Sequence, residues 1–274
     1  MKAMILAAGR GERMRPLTDR CPKPLLAVGG KPLIVRHIER LAAAGITDIV
    51  INHAHLGHML EAALGDGGAF GARIRWSPEP PGALETAGGI RQAMQYLGGE
   101  PFLTINGDVF CDIDFAALAA IATRLTPQHG DLAHLLLVDN PDHHPGGDFI
   151  LQNGRVRDQE ISDDEVVTDP SQDARARTGG AGQASESLQN GRMRDQEKPR
   201  LTFSGIAAYH PALFAHLEAG RPARLAPQLR AAMHIDRVSG AHHRGCWLDI
   251  GTPERLARLD AELTQNRGET PSRP

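Results

Sequence analysis

Short apolar runs alternate with longer amphipathic stretches through the first 140 residues. AMILA (3–7), DIVIN (48–52), RIRWS (73–77), PFLTIN (101–106) and LAHLLLV (132–138) read as strands. Between them lie PLIVRHIERLAAAG (32–45), HLGHMLEAALG (55–65), LETAGGIRQAMQYLG (84–98) and DFAALAAIATRL (114–125), with apolar residues near helical spacing. That β-α-β-α rhythm predicts an α/β fold, a mostly parallel sheet with right-handed crossovers and helices on both faces. Ligands in such sheets gather at the carboxyl ends of strands. The loops after AMILA, RIRWS and PFLTIN are therefore where chemistry is expected.

The pattern changes after residue 140. LQNGRVRDQE (151–160) recurs as LQNGRMRDQE (188–197), with nine of ten positions identical. Each QNG could turn a hairpin, but only the first copy follows the apolar GDFIL. The stretch between the copies is polar and nearly free of large apolar residues, so it buries too little surface to offset its ordering entropy. Residues 158–197 are read as a disordered or duplicated insertion within one domain spanning 1–274. Beyond it, LTFSGIAAYH (201–210) reads as a strand, RVSGAHHRGCWLDIG (237–251) as another, and a closing helix starts at Pro253.

Composition narrows the partners. A formal charge of −3 over 274 residues gives no electrostatic case for nucleic acid or an anionic membrane. The three cysteines, Cys21, Cys111 and Cys246, form no CxxC pair and fit reduced thiols rather than a zinc site. No apolar run approaches membrane-spanning length and the N-terminus enters a strand directly, so a cytoplasmic protein is expected.

The first loop, LAAGRGERMRPLT (6–18), meets only the first two glycines of GxGxxG and has no GK[ST]. Gly9 and Gly11 still permit a turn whose N–H groups wrap phosphate oxygens. Arg13 and Lys23, the latter in PKPLL, would add the positive charge a triphosphate needs; a solvated surface loop is the plainer alternative. Asn106-Gly107-Asp108 ends the PFLTIN strand, and a carboxylate there suits a Mg²⁺ ligand, although these are also ordinary turn residues. Asp249 in WLDIGTPERL, again at the end of an apolar run, is the second candidate.

Together LAAGRGERMRPLT, PKPLL, LETAGG, NGD and WLDIGTPERL resemble the sugar-1-phosphate nucleotidyltransferases from end to end, the 158–197 insertion excepted. NHAHLG, VDNPDHHPGGDF and LTFSGIAAYHP are similar to the branch that uridylylates N-acetylmuramic acid 1-phosphate in peptidoglycan recycling. The resemblance implies a Rossmann-like fold of the nucleotide-diphospho-sugar transferase type. It implies UTP and a sugar 1-phosphate as substrates, with Mg²⁺ held by Asp108 and Asp249. Arg13 would take the departing β/γ-phosphates and Lys23 the α-phosphate. Ala8, Gly9, Gly11 and Glu12 fall in the nucleotide loop, and Glu79 to Thr86 in the base-recognition region. Asn106 and Asp148 would contact sugar hydroxyl or acetamido groups, and Gly205 would let the sugar lie against backbone.

Two other features are read as plain. Lys198 in EKP resembles the sugar-phosphate lysine motif of thymidylyl- and glucose-type relatives, but it follows the repeat and a solvated lysine is the plainer reading. His53, His55, His58, His143, His144, His242 and His243 lack an HExxH arrangement and read as ordinary hydrogen-bonded histidines. A glucose- or mannose-1-phosphate nucleotidyltransferase and a non-catalytic nucleotide-sugar sensor are the alternatives, the second disfavoured by Arg13, Lys23, Asp108 and Asp249.

Overall fold

The computed structural model describes residues 1–80, 84–158 and 200–268. Most of the duplicated insertion, with its second repeat copy, and Lys198 lie outside these residues. The described chain runs β1 (Lys2–Leu6), β2 (Ala27–Val28), β3 (Lys31–Pro32), α1 (Leu33–Ala43), β4 (Asp48–His53), α2 (Gly57–Leu64), β5 (Arg73–Pro78), α3 (Glu85–Leu97), β6 (Phe102–Asn106) and β7 (Val109–Cys111). It continues with α4 (Phe115–Ala122), β8 (Ala133–Val138), β9 (Ile150–Gln152), β10 (Arg155–Arg157), β11 (Thr202–Tyr209), α5 (Leu225–His234), β12 (Val238–His242), β13 (Trp247–Asp249) and α6 (Pro253–Gly268).

Among the described residues nine strands form the main sheet, in the order β5-β4-β1-β6-β11-β8-β12-β10-β9. β5, β4, β1 and β6 are mutually parallel, as the alternating pattern predicts. β11 then enters antiparallel between β6 and β8, and β12 lies parallel to β8. Pleating sends alternate residues of β1 to opposite faces. Ala3 and Ile5 pack with Ile34 and Ile38 of α1, Leu60 of α2 and Leu118 of α4, while Met4 packs with Ile90 of α3 and Leu229 of α5. Helices thus cover both faces, and truncating a fully buried residue such as Ile38 to Ala should cost about 2–5 kcal/mol.

Local chemistry sets the boundaries. Asp114 caps α4 by accepting from Ala116 N and Ala117 N at 2.9 and 3.0 Å. The first repeat copy makes the hairpin: β9 pairs antiparallel with β10 around Asn153 and Gly154, whose φ values of 51° and 76° suit a tight Asn-Gly turn. One expectation needs correction. RVSGAHHRGCWLDIG is two strands, because the chain turns at 243–246: β12 joins the main sheet and β13 pairs with β7 in a separate two-stranded ribbon. No helix among the described residues is long and apolar enough to cross a membrane.

Candidate active site

Parallel β1 and β6 end side by side, with Leu6 opposite Asn106, so the loops that follow them open at one place. Two cavities lie there and share Leu6 and Gly9. The larger, about 330 Å³, is lined by Ala8, Gly9, Asn52, Glu79, Glu85 and Thr86. The smaller, about 170 Å³, is lined by Gly9, Gly11, Lys23, Pro24, Asn106 and Asp108. The structure therefore gathers nine of the sequence-derived positions, Ala8, Gly9, Gly11, Lys23, Glu79, Thr86, Asn106, Asp108 and (through β13, below) Asp249, into one region.

The larger cavity has a rigid polar wall. Ala7 N donates to Asn52 Oδ1 at 2.9 Å, Asn52 Nδ2 donates to Glu79 Oε1 at 2.6 Å, and Leu84 N donates to Glu79 Oε2 at 2.8 Å. Glu79 is buried, and both of its oxygens are already engaged, one by Asn52 of β4 and the other by Leu84 N in the loop after β5. The LETAGG wording follows from packing. A Cβ on Gly89 would sit 2.4 Å from Glu79 Oε1, and one on Gly88 would sit 2.5 Å from Arg221 O, so the two glycines let the start of α3 approach that wall on one side and the Arg221 backbone on the other. Asn52 is a residue the sequence reading missed; its signal is a polar side chain at the carboxyl end of DIVIN.

In the loop after β1, Gly11 O accepts from Thr18 Oγ1 at 2.9 Å, and the chain then turns through Glu12–Met14. Met14, standing where a dinucleotide fold has its third glycine, is fully buried with Val28, Leu33, Ile250 and Leu259 and pins the loop to the body. Glu12 pairs with Arg10 at 2.7 Å and with Arg15 at 3.5 Å. Arg13 is exposed and makes no ion pair among the described residues. Lys23 is buried beneath the loop and ion-paired to Asp108.

Asp108 and Asp249 meet through the β7–β13 ribbon. Asp249 stands opposite Val109, and Ile250 N donates to Asp108 O at 2.9 Å. Asp249 Oδ1 accepts from Arg255 Nη1 at 2.5 Å and from His143 Nε2 at 3.1 Å, two partners that no sequence motif announces. Among the described residues no group of three His, Cys, Asp or Glu side chains could hold a metal ion. Two carboxylates, each balanced by an N–H cation, nevertheless fit Mg²⁺, which takes one or two carboxylates and completes its shell with phosphate oxygens and water.

The sugar-side positions are assembled differently. Gly205 has φ +76°, and a Cβ there would lie 2.3 Å from Asn106 Nδ2. The glycine thus makes room for the Asn106 side chain rather than directly for a sugar. Asp148 Oδ2 accepts from Phe203 N at 2.8 Å and its Oδ1 from His144 Nε2 at 3.1 Å, so Asp148 braces the segment leading to Gly205. Other histidines bond to distant segments: His55 with Thr18 O at 2.9 Å, His242 with Asp139 at 2.9 Å and His243 with Asp112 at 2.8 Å. His37, unremarked in the sequence, is wholly buried against Val109 O at 2.8 Å, and burial lowers its pKa to about 4.

The profile of the family described as nucleotidyl transferase matches residues 2–145. The N-acetylmuramate alpha-1-phosphate uridylyltransferase of Neisseria meningitidis serogroup B is 52% identical over 262 residues, covering 95% of this chain and 97% of that one. The enzyme of the same name from Caulobacter vibrioides is 31% identical, over 96% and 97% of the two chains. A mannose-1-phosphate guanyltransferase of Aspergillus fumigatus is 39% identical, over only 53% of this chain. A crystal structure of a putative glucose-1-phosphate thymidylyltransferase from Bacillus anthracis superposes with a TM-score of 0.72 at 22% identity, over 96% of this chain and 95% of that one, a likeness of fold.

Proposed function

The chain belongs to the nucleotidyl transferase family and is a sugar-1-phosphate nucleotidyltransferase, and from that premise we propose that it transfers UMP from UTP to N-acetylmuramic acid 1-phosphate, releasing pyrophosphate. The observation that carries this reading is whole-chain similarity to two uridylyltransferases of that substrate, reaching across both the nucleotide and the acceptor sides of the sheet. The setting fits a cytoplasmic enzyme of peptidoglycan recycling.

The chemistry follows from charge. A phosphate oxygen of the sugar phosphate attacks the α-phosphorus of UTP, the α–β bridge bond breaks, and the bridging oxygen leaves with pyrophosphate. Both reactants are anions, and each unit-charge pair at 4 Å costs about 4 kcal/mol at an effective dielectric of 20. The site's task is neutralisation and in-line placement rather than proton transfer. The nucleoside enters the larger cavity against Ala8, Gly9 and Thr86, with Glu79 and Asn52 keeping its wall in place. That orientation directs the phosphates over Gly9 and Gly11 toward Lys23, a cation already fixed beside the smaller cavity. Arg13, exposed on the loop, takes the β/γ-phosphates. Asp108 and Asp249 would hold Mg²⁺, which supplies positive charge to the phosphates of both reactants. Asn106, seated on Gly205, faces the acceptor with Asp148 holding the neighbouring backbone.

Pyrophosphate release from UTP, GTP and dTTP, each with N-acetylmuramic acid, glucose or mannose 1-phosphate, tests the reading. Release should be greatest with UTP and the muramic acid derivative. Greater release with GTP and mannose 1-phosphate would replace it with the guanylyl alternative, and nucleotide binding without release from any pair would make the protein a sensor.

A further inference from the structure

Among the described residues β7 has a strand neighbour on one side only, β13. In an antiparallel pair alternate residues direct their N–H and C=O toward the partner, and the residues between direct theirs away. Asp108 O accepts from Ile250 N, and Asp112 N donates to Cys246 O at 3.0 Å, so 108 and 112 face β13. The carbonyls of Val109, Cys111 and Ile113 face the other way, and α1 meets all three. His37 Nε2 donates to Val109 O at 2.8 Å, while Arg40 donates through Nη1 to Cys111 O and through Nη2 to Ile113 O. The Arg40 guanidinium also lies over the Phe115 ring, 5.0 Å from its centroid. One face of a helix does the work of a missing strand.

The same helix is joined to the lysine loop. Leu33, its first residue, donates its N–H to Leu26 O at 3.2 Å, directly after the turn Lys23–Leu25. α1 therefore ties the ribbon bearing Asp108 and Asp249 to the segment bearing Lys23. We infer that His37 and Arg40 are positioning residues that set the placement of the two carboxylates against the phosphate site, and so the affinity of the enzyme for its divalent cation. Neither touches reacting atoms. The inference rests on the reading of Asp108 and Asp249 as the metal ligands.

Mn²⁺ is the probe, its binding in the presence of UTP followed by paramagnetic resonance and its half-saturation followed by rate. Removing an outer partner of a metal ligand typically weakens metal affinity by about 10–100-fold. Arg40→Met should raise the Mn²⁺ half-saturation by about tenfold. Arg40→Lys, which reaches only one carbonyl, should fall between Arg40→Met and the wild type. The control is Arg237→Met. Arg237 clamps the carbonyls of Thr126 and Gly130 at 2.7 and 2.8 Å, away from the site, so its loss should lower the melting temperature and leave Mn²⁺ affinity unchanged. Wild-type Mn²⁺ affinity in Arg40→Met would overturn the inference; if that variant does not fold, wild-type affinity in Arg40→Lys and His37→Ala would do so. Asp108→Ala and Asp249→Ala separate the two claims. If they bind Mn²⁺–UTP normally, the ligand reading fails; if they lose it while the α1 variants do not, the positioning role alone fails.

Discussion

On the β5-β4-β1-β6 side of the sheet, parallel strands end in loops that bond directly to one another, from Ala7 N to Asn52, to Glu79, to Leu84 N. Across β6 the construction differs. Antiparallel β11 carries an irregular register between Phe203 and Ala207, and distant segments dock on it: Asn106 against Gly205, Asp148 on Phe203 N, and Trp247 Nε1 on Ser204 O at 2.9 Å. The first region is one continuous chain of hydrogen bonds along the wall of the larger cavity. The second is held by separate segments docked on β11, such as Asp148 on Phe203 and Asn106 against Gly205, so a change there should leave the Asn52–Glu79 wall in place. On the proposed function the first region takes the nucleotide and the second the acceptor, with Gly9, Lys23 and Asp108 at the seam.

The seam should be the most sensitive place. Asp108→Ala should lower kcat by about 10²–10³-fold while the protein stays folded. Near-normal turnover in that variant would remove Asp108 from the metal role. Lys23→Met should lower kcat/KM for UTP by about 10²-fold or less, a smaller loss because Arg13 still faces the phosphates. A loss confined to the sugar phosphate KM would put Lys23 on the acceptor side instead.

Gly205→Ala probes the antiparallel side alone. A side chain at φ +76°, driven into Asn106, should cost about 1–3 kcal/mol of stability and raise the sugar phosphate KM. An unchanged KM at unchanged stability would show that Asn106 can move aside without consequence. An effect on stability alone, and only at acid pH, belongs to His37 on α1, buried against Val109 O. Its folded pKa of about 4 lies below the ordinary 6.5, so the unfolded chain binds its proton first as pH falls. Stability should be flat above about pH 6.5 and decline toward pH 4, by about 3 kcal/mol in total. Urea midpoints across that range should show the slope in the wild type and a flatter one in His37→Gln.

The contrast also explains what could be read from the residues. AMILA, DIVIN, RIRWS and PFLTIN became β1, β4, β5 and β6 because short parallel strands between amphipathic helices announce themselves through local periodicity. The direction of β11 has no such signature, since LTFSGIAAYH is equally apolar whichever way it runs. RVSGAHHRGCWLDIG looked continuous because a break at 243–246 depends on β13 finding β7, more than 130 residues earlier. The site showed the same division. Asp108 and Asp249 were visible as charges at strand ends and Lys23 as a basic residue of PKPLL beyond the glycine loop, whereas Asn52, His37 and Arg40 act through partners that only the fold supplies. Arg40 on PLIVRHIERLAAAG looks like any solvated arginine until Cys111 O and Ile113 O arrive.

The division of labour across β6 is tested most directly by both KM values, for UTP and for N-acetylmuramic acid 1-phosphate, in Asn52→Ala beside Gly205→Ala. Asn52→Ala leaves the buried Glu79 carboxylate short of a donor, a loss of about 1–3 kcal/mol that should raise the UTP KM by about tenfold. The sugar phosphate KM should stay near the wild-type value in that variant, and Gly205→Ala should show the reverse pattern. Equal rises in both constants for both variants would contradict the account, because the two sides of the sheet would then form one undivided site.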